Sequence, residues 1–452
     1  MDSKELARDL KTYGITGAGG AGFPTYGKID NRAKTIILNC AECEPLLKVH
    51  RQLLQKYAYE IMSTLKTMAN AMGANEIIIA VKEAYTNTIE SVKANLDSFM
   101  EITLKLLPEV YPMGDEVILI YETLGKKVPP GSIPIEIGVA VFNVETVLNI
   151  YNGLEKGEPV TSKYLTVAGE VSKPSTFKVP IGMKVEEVVQ LAGGPVIKSP
   201  VYFMGGPMTG SIVNSFDTVT KTTNAILVLP KDHGVIQKFN SNTSLDLKRA
   251  MSVCCQCEMC TELCPRYLLG NPITPHLFMR AATSGTTQDL EPFLQTMFCC
   301  SCGVCELYAC PQGLSPRKLI TEYKAGLRKK GIQIPKGIPS KDNHSLRDYR
   351  KVPMERLTAR LGLKEYDVEA NLVDNTIIPE IVKISLSQHI GAKAVSVVNV
   401  HDMVVKGQEI GASDGDKLSL PVHASITGEV IEVTEKFIKI RTTSTGKTTL
   451  YR

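Results

Sequence analysis

The sequence has no long apolar run, no leader-like start and little excess charge. Nowhere do about 18 or more apolar residues follow one another, so we expect no transmembrane helix. Met1 to Leu6 show no basic segment followed by an apolar core, so we expect no secretory signal. The 51 basic and 47 acidic residues leave a formal net charge of +4, too small and dispersed to indicate a nucleic-acid partner. These features favour a cytoplasmic protein.

Patterns of catalytic side chains are also sparse. None of the seven histidines lies in a metal-spaced pair, and neither a Ser/His/Asp order nor paired carboxylates stand out. We therefore assign no catalytic residue. We expect bound cofactors to supply the chemistry, while the protein provides binding and electrostatics.

The composition is that of an ordinary globular protein. Hydrophobic residues make up 43% of the chain, charged residues make up 22%, and mean hydropathy is near zero. A length of 452 residues allows about three domains. Twelve cysteines are too few for a disulfide scaffold, but ten of them lie between Cys254 and Cys310. Such clustering is typical of metal binding in a reducing compartment.

Strand-like and helix-like segments alternate over residues 1 to about 155. Thr35–Leu38 and Glu76–Val81 are candidates for buried strands, and the periodicity of Leu46–Met72 predicts a helix. This alternation favours an α/β layer structure with a largely parallel sheet. From about Ser162 a small α+β module follows, then helical pieces around the cysteines, and finally an all-β tail rich in valine and isoleucine.

Two short motifs contain eight of the clustered cysteines. Their spacings are C-x2-C-x2-C-x3-C and C-x2-C-x2-C-x4-C, and a proline follows each motif. Two-residue spacers let a tight loop turn three thiolates toward one centre, and in two-cluster ferredoxins the fourth cysteine binds the other cluster. The motifs therefore predict two [4Fe–4S] clusters, one held by Cys254, Cys257, Cys260 and Cys310, the other by Cys299, Cys302, Cys305 and Cys264.

Tetrahedral zinc is the alternative occupant, because four thiolates suit it as well. Zinc sites usually separate two C-x2-C pairs by longer loops, whereas here three cysteines crowd into seven residues. The crowding favours clusters. We interpret the additional Cys255 and Cys300 as small buried side chains, and Cys40 and Cys43 as packing or flavin-shell residues.

A glycine-rich segment, Gly17 to Pro24, contains a formal G-x-G-x-x-G. It follows a predicted helix rather than a strand, so it lacks the context of a Rossmann fingerprint. A backbone without side chains still lets a planar ring or a phosphate approach closely, and Lys28 could add a fixed positive charge. On its own, the segment is equally consistent with a flexible turn.

Three further motifs follow this loop in order: Asn39 to Pro45, Tyr111 to Glu116 and Asn143 to Thr146. Together with the loop they resemble the flavin-binding subunit of complex I and, more closely, the RnfC-type electron-input proteins. The resemblance implies an FMN- and NADH-binding α/β domain over residues 1–158.

The same resemblance implies roles for individual residues of that domain. The FMN contacts that it implies come from Gly17, Gly19, Gly20, Gly22, Lys28, Asn39, Glu42, Asn143 and Thr146. It places Glu44 and Glu116 near NADH, with Phe23 stacked over the base of the nucleotide. Tyr111 and Gly114 of the second motif complete the cofactor-binding set.

The rest of the chain extends the resemblance. Residues 159–236 are similar to an SLBB β-grasp domain, 245–332 to a helical two-[4Fe–4S] ferredoxin-like insert, and 373–452 to the RnfC barrel-sandwich domain, with a linker at 333–372. The expected fold class is thus a multidomain α/β and α+β protein with a C-terminal all-β barrel-sandwich hybrid. No Met-Lys-Met hairpin is present, so Lys417 is not expected to carry a lipoyl group.

RnfC proteins carry the barrel-sandwich domain at their N-terminus, whereas here it comes last. That order and the chain length resemble the cobalamin reductases of propanediol-utilising bacterial microcompartments. The resemblance implies electron transfer from NADH through FMN and two clusters to a corrinoid. It also implies an adenosyltransferase or a shell protein as partner, and a location within or at the shell of a microcompartment.

Two alternatives remain open on the sequence. An RnfC-like subunit could deliver electrons to a membrane Rnf complex or to a soluble anaerobic reductase. A non-catalytic hub could instead relay electrons between partners and dock through its β modules. Bound flavin would argue against the hub. The neighbouring genes would distinguish a cobalamin reductase from an RnfC-like subunit.

Overall fold

The computed structural model describes residues 1–284, 288–373, 377–415 and 417–443. Residues 374–376, 416 and 444–452, which belong to the predicted barrel-sandwich domain, lie outside the described residues, as do 285–287 of the predicted cluster insert. Among the described helices, none is long and apolar enough to span a membrane.

The first unit is a parallel sheet between helices. Its elements are α1 (Ser3–Thr12), a 3-10 turn (Thr25–Lys28), β1 (Thr35–Cys40), α2 (Val49–Lys56), α3 (Ala58–Met72), β2 (Glu76–Lys82), α4 (Thr86–Lys93), a 3-10 turn (Leu96–Ser98), β3 (Ile102–Leu107), β4 (Val110–Tyr111), α5 (Glu116–Leu124), a 3-10 turn (Pro134–Ile137), β5 (Val139–Asn143) and α6 (Val144–Lys156). The strand order is β3-β2-β1-β5, and every pair is parallel, as the alternation predicts.

Strand β1 lies inside this sheet and is buried along its whole length. A strand with parallel neighbours on both sides and helices on both faces is expected to be almost continuously apolar. Its last residues carry Asn39 to the carboxyl edge of the sheet, where ligands bind in open α/β folds. The predicted helix Leu46–Met72 is in fact two helices, because Tyr57 has the non-helical φ of −121° between α2 and α3.

The second unit is a mixed sheet. Its elements are β6 (Ser162–Gly169), β7 (Ser175–Pro180), α7 (Val185–Leu191), β8 (Pro200–Met204), β9 (Ser211–Val213), β10 (Ala225–Pro230) and α8 (Gly234–Phe239). Strand β6 lies between antiparallel β7 and parallel β10, a combination of directions typical of a β-grasp sheet. One face packs around Leu165, Val179 and Val188.

The third unit is built from short helices around the cysteine motifs. They are α9 (Thr243–Val253), α10 (Met259–Glu262), α11 (Pro265–Leu268), α12 (Pro275–Ser284), α13 (Glu291–Gln295), a 3-10 turn (Thr296–Phe298), a π-helical turn (Val304–Tyr308) and α14 (Pro316–Lys329). Both prolines that follow the motifs lie just after the fourth cysteine, and Pro265 begins α11 at a position where its missing N–H costs nothing.

Residues 333–372, predicted as a linker, cross the molecule and contact two units. They contain a 3-10 turn (Arg347–Tyr349), β11 (Val352–Pro353), α15 (Met354–Arg360), a 3-10 turn (Lys364–Tyr366) and the start of β12 (Leu372–Val373). Strand β11 pairs with β4 of the first unit, and β12 pairs with β7 of the second. Leu357 and Leu363 are fully buried in a core shared with Phe203.

The last unit is formed by two small antiparallel sheets. Its strands are β13 (Ile381–Ser385), β14 (Val395–Ser396), β15 (Met403–Val404), β16 (Glu409–Ala412), β17 (Val422–His423), β18 (Gly428–Val433) and β19 (Phe437–Thr442). The sheets have the orders β13-β19-β18-β15 and β14-β16-β17. Their apolar faces, which include Val382, Ile410 and Ile440, join the same hydrophobic cluster as α1 and α3.

Candidate functional site

A cavity of about 860 Å³ lies where the first three units meet. Gly19, Gly20 and Ala21 of the glycine loop line one side, together with Asn39 and Asn143 from the carboxyl ends of β1 and β5. The β-grasp unit contributes a wall of glycine, hydroxyl and amide residues: Gly205, Gly206, Thr209, Gly210, Ser211, Thr220, Thr222, Thr223 and Asn224. Cavities of this size are typical of cofactor sites.

The glycine loop is held in a defined shape. Its ends are joined by the N–H of Gly17, which donates to the carbonyl of Phe23 at 2.9 Å. Inside the loop, the N–H of Ala18 donates to Thr146 Oγ1 at 3.0 Å. A Cβ at Gly19 would lie 2.3 Å from Asn143 Nδ2 and 2.8 Å from His50 Cε1, so a side chain at this position would displace both residues. Gly20 has open space at the corresponding point, which leaves room for a ligand against its backbone.

The segment after β1 presents an amide and a carboxylate whose positions are fixed. Asn39 donates to the carbonyl of Gly114 at 3.1 Å, and its Oδ1 accepts from the N–H of Ala41. Glu42 accepts from Arg51 Nε and from the N–H of His50, both at 2.8 Å. Burial acts to raise the pKa of Glu42, but the Arg51 charge and these hydrogen bonds outweigh it and lower the pKa. Glu42 is therefore a fixed negative charge at the cavity wall.

Glu44 faces the β-grasp unit. Its carboxylate accepts from the N–H of Met208 at 2.7 Å and from the hydroxyl of Thr209. Burial raises the pKa of Glu44. A Cβ at Gly206 would lie 2.2 Å from Glu44 Cβ, so the backbone of the Gly206–Thr209 loop lies directly against this side chain.

Other predicted cofactor residues do not line the cavity. Lys28 Nζ is 2.5 Å from Glu116 Oε1 and 3.1 Å from the carbonyl of Val141, so the two charges pair with each other. The ring of Phe23 packs against Gly27. Of the predicted set, the residues that line the cavity are Gly19, Gly20, Asn39, Glu42, Glu44, Gly114 and Asn143; those outside its wall are Gly17, Gly22, Phe23, Lys28, Tyr111, Glu116 and Thr146.

Tyr111 connects the first unit to the cysteine unit. Its hydroxyl donates to the carbonyl of Cys302 at 2.6 Å, and its side chain is buried. Nearby, Arg266 Nη2 lies 2.8 Å from Asp115 Oδ2. The second cysteine motif is therefore attached directly to the segment that carries the Tyr111–Glu116 motif.

The structure gathers the cysteines into two cavities. The outer cysteine cavity is lined by Cys254, Cys257, Cys260 and Cys310, together with Cys255. The inner cysteine cavity is lined by Cys264, Cys299, Cys302 and Cys305, together with Cys300. Each cavity thus combines three cysteines of one motif with the fourth cysteine of the other. Within the described residues, no three His, Cys, Asp or Glu side chains are close enough to hold a single metal ion.

The inner cysteine cavity adjoins the large cavity. Cys300 and Arg317 line both of them. Arg317 also donates to the carbonyl of Met208 and to Glu306 Oε1, which connects the cysteine unit to the loop held by Glu44. By contrast, Cys255 and Cys257 of the outer cavity are exposed to solvent, so the interpretation of Cys255 as a small buried side chain is wrong. The two cysteine sites therefore differ in position: one lies beside the large cavity and the other at the surface.

Sequence reasoning missed several residues of the cavity wall. His50 lies in α2, where its sequence context predicts only a capping or core role, yet it lines the cavity with a pKa that burial lowers. Cys300, which the sequence predicted to be a small buried residue, lines both the large cavity and the inner cysteine cavity. The β-grasp hydroxyls and Arg317 carry no local motif. Only the packing of distant segments brings them to the site.

Comparisons with known families agree with this architecture. Residues 10–152 match the Nuo51 FMN-binding domain, 164–211 the SLBB domain, 253–315 the 4Fe-4S dicluster domain, and 363–448 the RnfC barrel sandwich hybrid domain. These matches confirm the predicted fold class, and they favour iron–sulfur clusters over zinc. The fold and the cysteine cavities define a flavin and iron–sulfur electron-transfer protein.

Full-length relatives define the family more closely. The chain is 40% identical over 440 residues to the cobalamin reductase PduS of Citrobacter freundii, a match that covers 97% of each chain. It is equally similar, over 441 residues, to the cobalamin reductase PduS of Salmonella typhimurium. The chain therefore belongs to the PduS family of cobalamin reductases.

More distant relatives share parts of the chain. One component of the ion-translocating oxidoreductase complex of Klebsiella pneumoniae is 31% identical over 269 residues, which cover 58% of this chain and 34% of that one. A crystal structure of an NAD+-reducing [NiFe]-hydrogenase in the H2-reduced state has a TM-score of 0.50 at 20% identity, over 75% of this chain and 64% of that chain. This second likeness shows a shared fold.

Proposed function

We propose that this chain is a cobalamin reductase that takes electrons from NADH and passes them through FMN and two [4Fe–4S] clusters to a corrinoid. The observation that carries the proposal is the large cavity, which has the glycine loop on one wall and Cys300 on another. Membership of the PduS family supports the corrinoid as acceptor, because its characterised members are named cobalamin reductases.

The residues present fit a flavin. The cavity is within the range of about 300–1,000 Å³ that ligand sites occupy. Gly20 leaves its backbone open to a ring or a phosphate, and Asn39 and Asn143 offer amides on the same side. Asn224 Oδ1 is buried without a hydrogen-bond partner in the described residues, so it can accept from a ligand hydroxyl or N–H.

The residues of this chain bind and orient the cofactor. We assign the glycine loop the role of shaping the surface that binds the flavin ring. Glu42, which Arg51 holds ionised, provides a fixed negative charge beside that surface. Glu44 and the Gly206–Thr209 loop close the side that faces the β-grasp unit. When bound, FMN accepts two electrons as a hydride and releases them singly, which suits the one-electron capacity of each cluster.

The positions of the two cysteine cavities suggest the order of transfer. We assign one cluster to each, with Cys264, Cys299, Cys302 and Cys305 as inner ligands and Cys254, Cys257, Cys260 and Cys310 as outer ligands. The inner cysteine cavity, which would hold one cluster, adjoins the large cavity, and the outer cysteine cavity, which would hold the other, includes the exposed Cys257. Electrons would therefore enter at the inner cluster and leave from the outer one.

The stoichiometry of the reaction follows from electron counting. One NADH supplies two electrons, and each cob(III)alamin takes one to become cob(II)alamin. One NADH therefore reduces two cobalamins and yields NAD+ and one proton.

The experiment is anaerobic purification and reconstitution, followed by measurement of iron, flavin and cobalamin-dependent NADH oxidation. The proposal predicts about eight iron atoms and one FMN per chain, with two cobalamins reduced per NADH. Protein that binds zinc in place of iron, or whose flavin NADH never reduces, would contradict it.

A second acceptor is favoured by one specific observation, the 31% identity to a component of an ion-translocating oxidoreductase complex. In that case the chain would reduce a protein partner of a membrane or soluble complex rather than cobalamin. Normal NADH reduction of flavin and clusters, with no transfer to cobalamin, would support this alternative.

The proposal also includes a cellular setting. Family membership supports a location within or at the shell of a bacterial microcompartment, with an adenosyltransferase or a shell protein as partner. Co-purification of the tagged chain with shell proteins tests this setting, and a uniformly dispersed fluorescent fusion in cells that form microcompartments would contradict it.

A further inference from the structure

The C-terminal unit reaches across the molecule and contacts the glycine loop from outside. The N–H of Ile390 donates to the carbonyl of Gly22 at 3.0 Å. Gly22 has a φ of +73°, and a Cβ there would lie 2.7 Å from Thr222 Cγ2 and 3.3 Å from His389 Cα. The end of the loop is therefore enclosed by the β-grasp unit and the C-terminal unit together.

The turn that follows the loop makes similar contacts. Tyr26 Oη accepts from the N–H of Ser419 at 3.3 Å. A Cβ at Gly27 would lie 3.8 Å from Leu418 Cδ1. The C-terminal unit thus contacts the chain on both sides of Phe23.

A buried lysine joins three units behind the loop. Lys221 of the β-grasp unit is 2% exposed, and its Nζ donates to the carbonyl of Gly14 at 2.7 Å and to that of Pro421 at 3.3 Å. Its backbone N–H donates to Gln388 Oε1 at 3.1 Å. Burial lowers the pKa of Lys221 to about 7. Burying an ammonium group is costly, so its retention here suggests a specific use for the two hydrogen bonds.

The glycine loop needs such external support. Glycine-rich backbone has more conformational freedom to lose than any other, and few side chains in the loop can restrain it from within. Near the start of the loop, Thr146 Oγ1 accepts the N–H of Ala18. At the Gly22 end of the loop, the contacts described above come from Thr222 and from the C-terminal unit.

We propose that the C-terminal barrel-sandwich unit is a positioning part of the flavin site: Lys221 and the Gln388–Ile390 segment hold the glycine loop in the shape that binds FMN. The inference rests on the proposed function, in which this loop binds FMN. It assigns these residues a positioning role, since they act on the flavin through the loop.

The test compares FMN affinity in two pairs of variants, using cluster-loaded protein stripped of flavin and titrated with FMN while flavin fluorescence is followed. Lys221→Met removes the ammonium group, and with it both side-chain hydrogen bonds, but keeps the apolar stem. Lys173→Met makes the same change at an exposed site in the same unit. Ile390→Pro removes the N–H given to Gly22, and Ile390→Val keeps it. Ile390 is 49% exposed, so neither change opens a core cavity.

We expect Lys221→Met and Ile390→Pro to weaken FMN binding about tenfold or more, while both controls bind like the wild type. The iron content should stay at about eight per chain in all four variants. FMN affinity within twofold of wild type in both test variants would overturn the inference. Loss of iron together with FMN would also overturn it, because the inference confines the effect to the flavin site. Failure of the wild type to bind FMN would instead defeat the proposed function.

Discussion

At the scale of single residues, the eight cysteines of the two motifs occupy different environments. Cys257 is exposed, whereas Cys264 and Cys305 are buried. Solvent exposure and hydrogen bonds to the sulfurs are among the factors that set the potential of an iron–sulfur cluster. Clusters held at the outer and inner cysteine sites would therefore differ in potential, and the outer site is the one exposed to an acceptor in solution.

The crossed ligand sets can be tested by counting iron in double variants. Cys254→Ser and Cys310→Ser belong to the same predicted site, so each alone and both together should leave about four iron atoms per chain. Cys310→Ser combined with Cys299→Ser spans both sites and should leave almost none. Cys255→Ser is the control and should keep about eight. An uncrossed arrangement would reverse the results of the two double variants.

The contact between Glu44 and Gly206 gives a prediction about the flavin cavity. Gly206→Ala places a methyl group against Glu44 and should displace the Gly206–Thr209 loop. We expect the unfolding temperature to fall by several degrees, because overpacking costs about 1–3 kcal/mol. Glu44→Gly in the same chain removes every atom of the obstructing side chain, its Cβ included, so the double variant should lose less than the sum of the two single changes. Strict additivity, measured by calorimetry, would contradict the contact.

At the scale of elements, local pattern predicted the strands better than the boundaries and connections. The sequence predicted a strand over Glu76–Val81. In the structure this strand is one residue longer and ends at Lys82. The periodicity of Leu46–Met72 did not reveal the break at Tyr57, because both helices keep apolar residues on their inner faces. The segment 333–372 reads as linker because it is rich in proline, glycine and basic residues. Its strand β11 pairs with β4, which is remote in the sequence and leaves no local signal.

In the candidate site, too, residues with a local sequence signal could be predicted and residues placed by remote packing could not. Regular spacing within each motif allowed eight cysteines to be divided into two groups of four from the sequence. In the structure, the members of each group line one cavity. Their role as ligands stays a prediction. The FMN residues were named through a family resemblance, and about half of them line the cavity. Arg317 and the β-grasp hydroxyls could not be found in this way, because their place in the site depends on how whole units pack.

The interface between the C-terminal and β-grasp units should be sensitive to acid. Burial and the Lys221 charge lower the pKa of His423 to about 3, against about 6.5 in an unfolded chain. The unfolded chain therefore gains a proton that the folded chain does not. This contribution to stability is complete above about pH 6.5 and is lost progressively as the pH falls toward 3.

His423→Gln removes the titrating group and provides the measurement. Its unfolding temperature should fall less steeply than that of the wild type between pH 6.5 and about 4. Parallel curves for His423→Gln and the wild type would contradict the assignment of acid sensitivity to this side chain.

At the scale of the whole molecule, four units are arranged around one line of sites. The large cavity lies among the first three, the inner cysteine cavity adjoins it through Cys300, and the outer cavity opens to solvent at Cys257. The C-terminal unit contacts the Gly22 end of the glycine loop. Such an arrangement suits transfer in one direction, from a cofactor enclosed by protein to an acceptor at the surface.

The most direct test of this path is anaerobic rapid mixing of NADH and cob(III)alamin with the Cys254→Ser variant, which should lack only the outer cluster. The account predicts that NADH reduces the flavin at the wild-type rate and that the inner cluster becomes reduced, while cobalamin reduction falls at least tenfold. Cobalamin reduction at the wild-type rate without the outer cluster would contradict the proposed order of electron transfer.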